Sequence, residues 1–413
     1  MKRAKDEGGE WGPLGRGLDG KKDEDVKWAV STISESCFII GGKPAPKGID
    51  AYSETGIPFI KMKDLGNYHT TNNLIKIENR VSEETANKNR LNLIRKGAIL
   101  LPRSGSVALN HRAILGVDAY MVSHICALDI KDKDMLTSEF LYYYLRRIKF
   151  ENITKKTTGL DAITFEDLGK IKIPLPPIDE QKRIAEVLTR AENLIAKRKE
   201  SIALLDEYIK STFLEMFGDP VRNEKGWEIG RSIDYADCIV PGRDKPKNFT
   251  GEIPWVITND LNHLGYTNNS KNAIGLTSEE ILQVNARIIP KNSVIITCVG
   301  DLGISSIAGQ DMVVNQQLHT FQCKKNINNI FFMHAISRQS QYMYLNATKT
   351  TLPYMNKTVC NSIPMIIPPL SLQNQFAAIV EKVESLKEKY KQSLAELEML
   401  YGSLSQRAFR GEL

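Results

Sequence analysis

Two stretches of the chain carry apolar residues at heptad spacing. In the first, Ile184, Ala191, Arg198, Leu205 and Thr212 form one row, and Leu188, Ile195, Ile202, Ile209 and Met216 the other. In the second, the rows are Phe376, Val383, Tyr390, Leu397 and Leu404, and Val380, Lys387, Leu394, Tyr401 and Ala408. Heptads sustained this long argue for a coiled-coil pair and against helices lying on a sheet. Each predicted helix follows a proline pair, Pro176-Pro177 or Pro368-Pro369, which a helix interior excludes. Asp179 is placed to cap the first helix, and Glu180 to stand in its first turn, where the macrodipole favours an acid. A helix of ~39 residues is ~58 Å long at 1.5 Å per residue, which outreaches a single small domain. If the two helices run antiparallel, Arg198 and Tyr390 should meet in a cation–π contact.

Between these stretches the pattern changes to short buried runs, partial alternation and two amphipathic segments. "AILLP" and "SVIIT" read as buried strands, while "AYMVSHICALDI" and "DMVVNQQLHTFQ" alternate in part like strands. "SEFLYYYLRRI" and "NIFFMHAISRQS" read as amphipathic helices. The order repeats. Residues 159–217 align without gaps onto 351–409, with Gln181 meeting Gln373 and Phe217 meeting Phe409. Upstream, "GIPFIKMKDL" matches "EIPWVITNDL", and "GAILLPRSGSV" echoes "NSVIITCVGDL". The chain is therefore one unit duplicated, a globular part followed by a long helix.

With 413 residues, the chain is long enough for two or three domains. No apolar run reaches 18 residues, so a membrane anchor is not expected, and residues 1–25, rich in Gly and charge, read as a disordered extension. Six scattered cysteines without a CxxC read as small buried hydrophobes of a reducing, cytoplasmic compartment. The net charge of +6 is unevenly spread. Residues 26–178 hold 22 basic against 16 acidic residues and residues 218–370 hold 14 against 12, while both helical stretches are close to neutral. That split suits globular parts facing a polyanion and helices facing protein. No phosphate loop, GxSxG, paired-histidine zinc motif or amino-methylation signature is present, so the residues point to a binding subunit and not to an enzyme.

The repeated "RSGSV … TTGLDAITFEDLGKIKIPLPPIDEQKRIAEVL" and the closing "SLSQRAFRGEL" resemble the specificity subunit of type I restriction–modification systems over roughly residues 26–413. The resemblance implies an α+β fold. Two mixed α/β target-recognition domains, 26–172 and 219–364, would be joined by two long antiparallel coiled-coil helices, 173–218 and 365–413, with a pseudo-twofold from the duplication. It also implies that each domain reads half of a bipartite site in double-stranded DNA, while the helices set the half-site spacing and dock two methylation subunits. Whether restriction subunits (translocase or nuclease) join them is left open. No cofactor is expected on this chain; S-adenosylmethionine is expected on the methylation partner, and no membrane is involved. The second copy departs from the first where Ser371-Leu372-Gln373 replaces Asp179-Glu180-Gln181, losing the first-turn acid.

Direct readout favours Arg for guanine and Asn or Gln for adenine, while Lys, Ser and Thr suit phosphates. The first reader accordingly offers Arg103, Ser104 and Ser106 for contact, with Lys61, Lys63, Lys155, Lys156, Thr157 and Thr158 for positioning. The second offers Asn315, Gln316 and Gln317, a polar triple expected inside an apolar strand, with Arg243, Lys245, Lys349 and Thr350. Subunit docking would fall to Gln181, Ile184, Leu188, Gln373, Phe376 and Phe409. The competing reading is a coiled-coil scaffold that binds protein at both ends and no DNA. Salt-dependent association with duplex DNA would separate the two.

Overall fold

The computed structural model describes residues 28–48, 51–68, 74, 76–104, 107, 110–150, 162–242, 244–348 and 351–413. The expected extension at 1–25 lies outside the described residues. The chain divides into two compact units, one of residues 1–196 with 395–413 and the other of residues 197–394.

In the first unit, Ala29–Thr32 pairs antiparallel with Lys172–Leu175, so the globular part begins and ends beside the start of the central helix. A four-stranded antiparallel sheet runs in the order Cys37–Gly41, Ile125–Ile130, Ile99–Pro102, Ala113–Ile114. A smaller sheet centres on Ile57–Ile60, antiparallel to Arg80–Val81 and parallel to Tyr120–Met121. The second unit repeats the plan. Glu228–Arg231 pairs with Pro364–Ile367. The larger sheet is Ala236–Ile239, Leu318–Cys323, Val294–Thr297, Ser305–Ala308, Tyr266–Thr267, and the smaller one centres on Ile253–Val256.

"AILLP" and "SVIIT" are the buried central strands Ile99–Pro102 and Val294–Thr297. The two amphipathic segments are the helices Ser138–Arg146 and Asn329–Ser337. The alternating runs need a correction, because each is two strands belonging to two sheets. Val313–Val314 pairs with the smaller sheet and Leu318–Cys323 with the larger. Asn315, Gln316 and Gln317 therefore lie in the turn where the chain changes sheets, not inside a strand. Polar residues there leave no unpaired group in a strand interior.

The central helix spans Ile178–Phe217, 40 residues, and the C-terminal helix Leu370–Ala408, 39 residues. Each starts directly after its proline pair, and the Pro177 carbonyl accepts from Gln181 N–H at 3.0 Å. Asp179 is thus in the first turn with Glu180 and does not cap, because Pro177 already ends the preceding segment. The central helix stops at Gly218, whose φ of +76° is the left-handed conformation that glycine adopts without a Cβ clash. In the first unit Ile184, Ala185 and Leu188 share a core with Ala408 and Phe409. In the second, Ile209, Phe213 and Phe217 share one with Phe376, Ala377, Val380 and Val383. The start of one helix meets the end of the other in both units, so the helices run antiparallel. The Arg198 guanidinium sits 4.3 Å from the Tyr390 ring centre, the contact the heptad rows imply. Among the described residues, no helix is long and apolar enough to cross a membrane.

Candidate nucleic-acid interface

At the end of Ile99–Pro102 the chain of the first unit leaves the sheet, and three segments converge there. Arg103 N–H donates to His124 O at 2.8 Å, and Arg103 O accepts from Ile163 N–H at 2.9 Å. The Arg103 guanidinium lies 4.6 Å from the Phe165 ring centre, and Ser104 Oγ is 2.7 Å from His124 Nδ1. Ser104 also bridges Ala162. The geometry collects a half-buried arginine, a hydroxyl, an imidazole and an exposed phenyl ring at one sheet end. Such a set can donate to base edges or phosphates and stack. Arg112 lies further along the chain. It is buried over Phe150, at 4.4 Å, and donates to Ile148 O and to Asn110 Oδ1, each at 2.7 Å.

The second unit builds the same place with different chemistry. Cys298 N–H donates to Gln317 O at 2.9 Å, Met355 N–H donates to Cys298 O at 2.8 Å, and Val299 bridges Tyr354. These contacts correspond one for one to those of Arg103, His124, Ile163, Ser104 and Ala162. Cys298 therefore stands where Arg103 does, and it is buried. The polar groups come from the turn instead. Gln316 and Gln317 are exposed, and Asn315 is half-buried with its Nδ2 donating to Gln317 Oε1 at 3.3 Å. Thr258 Oγ1 donates to the same Oε1 at 3.3 Å.

The other sequence-derived residues are less concentrated. Lys61 donates to Asn79 Oδ1 at 2.7 Å and lies 4.2 Å from the Tyr52 ring centre; Lys63 pairs with Glu78 at 3.5 Å on the exposed surface. Both belong to the smaller sheet's margin, and none of these contacts involves the Arg103 cluster. Lys245 is exposed on the connection before Ile253–Val256. Ser106, Lys155, Lys156, Thr157, Thr158, Arg243, Lys349 and Thr350 lie outside the described residues. His124, Phe165 and Tyr354 joined the site only through the structure. Extending the repeat alignment through the strand-change turn would have paired His124 with Gln317.

The six residues assigned to docking need correcting. Gln181, Ile184, Leu188, Gln373 and Phe376 have no exposed surface, and Phe409 has 8%. Gln181 Nε2 donates to Met135 O and Pro176 O, each at 2.9 Å, while its Oε1 accepts from Thr137 N–H at 2.9 Å. Gln373 repeats this with Pro368 O at 2.8 Å and Asn328 N–H at 2.9 Å. Phe376 packs on Phe213, Phe217 and His334, and Phe409 on Phe140 and Tyr144. Gln181 and Gln373 latch the start of each helix to the globular part before it, whereas Phe409 packs the end of the C-terminal helix on the first globular part. The exposed apolar residues of the same helices include Leu194, Leu204, Tyr208 and Met399.

The family model of the type I restriction modification DNA specificity domain matches residues 25–205 and again residues 232–399. The chain belongs to that family. DNA sequence recognition is the function this membership implies, and the two matches coincide with the two copies of the repeat. Among curated relatives, the type I restriction enzyme MjaIX specificity subunit of Methanocaldococcus jannaschii is 24% identical over 400 residues, 86% of each chain. Among solved structures, a type I restriction–modification S subunit from M. genitalium superposes with a TM-score of 0.57 at 15% identity, covering 93% of this chain and 96% of that one. A chain from a study of complex assembly and conformational transition in the type I system superposes with a TM-score of 0.54 at 18% identity, covering 94% and 98%. Both likenesses bear on the fold.

Proposed function

We propose that each globular part reads one half of a bipartite site in duplex DNA, and that the exposed faces of the two helices dock two methylation subunits and set the half-site spacing. The observation that carries this reading is the paired sheet end: one backbone frame built twice, with Arg103, Ser104 and His124 in one copy and Asn315, Gln316 and Gln317 in the other. A repeated frame with divergent hydrogen-bonding groups suits two readers of different half-sites, since arginine favours guanine and the amides favour adenine. In this reading S-adenosylmethionine and the methyl-transfer chemistry belong to the partner, and whether translocase or nuclease subunits join the complex stays open. Reconstitution with a methylation subunit and S-adenosylmethionine, followed by sequencing of methylated DNA, tests it. The expected product is adenine methylated within one two-part motif with a fixed spacer, and none from this chain alone. Methyl transfer by the single chain, or a partner complex that binds duplex DNA without salt dependence or sequence preference, would contradict the reading.

A further inference from the structure

The second unit contains a cavity of about 600 Å³, and the repeat shows which side chains stand at the equivalent positions in the first unit. In the first unit Glu192 is surrounded. Tyr143 Oη donates to it at 3.0 Å, Tyr401 Oη at 2.9 Å, and Arg146 forms an ion pair with it. The repeat places Glu384 at the position of Glu192, His334 at that of Tyr143 and Ile209 at that of Tyr401. Both phenols are gone, and their replacements are shorter. His334 and Ile209 now line the open space, with Ile202 and Leu264 as further apolar wall.

Three features of this cavity point to a ligand. His334 is 1% exposed, and neither of its ring nitrogens has a hydrogen-bond partner. Leaving both unmade is costly for a buried polar group. Arg338, also in the wall, lies over the Phe213 ring at 4.0 Å and donates to His334 O at 2.7 Å. Among the described residues it has no carboxylate within ion-pair distance, and Asp219, the carboxylate whose charge acts on it from further away, faces Arg222 at 3.9 Å. His263 Nδ1 accepts from Ser305 N–H at 3.2 Å, so its proton resides on Nε2, leaving a second donor at the wall. The carboxylates that face the cavity are already engaged. Asp206 and Glu384 both hold Lys387 at 2.7 Å, and Glu207 faces Lys210 at 3.7 Å. The charges that bear on the His334 ring are those of Arg338, His263 and Lys387.

We propose that this cavity is a binding site for a small organic anion, an apolar ring bearing a phosphate or carboxylate, whose charged end is received by Arg338 and the His263 Nε2–H and whose ring lies against His334, Ile209 and Leu264. The volume falls within the roughly 300–1,000 Å³ typical of small-ligand pockets. Nothing in the site demands DNA, so its failure and the failure of the DNA reading are separate outcomes.

Calorimetric titration of the full chain with phenyl phosphate tests the assignment, with phenol and inorganic phosphate as partial ligands. Saturable one-site binding of phenyl phosphate is expected, at least tenfold tighter than either partial ligand. The variant carrying Ile209→Tyr and His334→Tyr restores the two phenols of the first unit. It should melt at or above the parent temperature and lose phenyl phosphate binding at least tenfold. Should that variant not fold, Arg338→Gln alone should lower the affinity for phenyl phosphate at least tenfold and leave that for phenol unchanged. No saturable binding, phenol binding as tightly as phenyl phosphate, or undiminished binding by the folded filled variant would each overturn the proposal.

Discussion

Glu192 and Glu384 occupy one position of the repeat, yet the first sits in a closed cage of two tyrosines and an arginine while the second shares a lysine with Asp206 beside an open cavity. A few residues away, Gln181 and Gln373 make nearly the same bonds in both units. The contrast separates what holds the frame from what the frame carries. The glutamines close backbone groups that would otherwise be buried without partners, a demand of the backbone itself and so the same in each copy. The polar groups at the sheet ends and in the helix-flanking space meet no such demand, and there the two copies differ.

Acid should bring out the largest difference. Burial, with the cations Arg338 and Lys387 and the neighbouring His263, pushes His334 down to about 3. Burial and Lys357 push His319, which contacts Cys360 Sγ at 2.9 Å, down to about 4. Both are neutral in the folded unit, whereas in the unfolded chain each takes up a proton below about 6.5. The unfolded state therefore binds more protons as pH falls from about 6.5 toward 4, and stability is lost over that window. Their repeat counterparts in the first unit are Tyr143 and Cys126, which carry no such linkage. Hydrogen exchange at pH 7 and pH 5 should show amides of the second unit losing protection while those of the first keep theirs. Equal loss in both would break the comparison.

Next in size are the latches. Gln181→Leu strands the Thr137 N–H and the Met135 and Pro176 carbonyls, whereas Gln373→Leu strands the Asn328 N–H and the Pro368 carbonyl. At about 1–3 kcal/mol per buried unsatisfied group, both should be strongly destabilising, and Gln181→Leu the more so. Denaturant unfolding of the two variants checks the order.

The smallest effect belongs to the seam. Arg198 and Tyr390 are half-buried, so their contact should contribute about 0.5–1 kcal/mol in a double-mutant cycle of Arg198→Gln and Tyr390→Leu. A coupling energy of zero would mean the guanidinium merely rests there.

The helices, their antiparallel pairing and the duplication were legible in the chain because heptads and a gapless repeat are long signals that single substitutions do not erase. The buried strands were legible for a similar reason, since four consecutive apolar residues leave little choice. The site was read only in part. Arg103, Ser104 and the Asn315–Gln317 triple were chosen by residue type, and their neighbours His124 and Phe165 were missed because they come from other segments. The docking residues were misplaced by a different error. Gln181 and Phe409 stand in the two motifs that carry the resemblance, and a motif that marks the family need not be a surface, since the frame needs those residues inside.

The central claim is that the two sheet ends are separate readers of one DNA site. The most direct measurement is the methylated motif produced by the reconstituted complex carrying either Arg103→Ala or Gln317→Ala. Each variant should relax base preference in one half of the motif, by about 1–3 kcal/mol of discrimination, and leave the other half and the spacer unchanged. Relaxation of both halves by either variant, or of neither by both, would contradict the account.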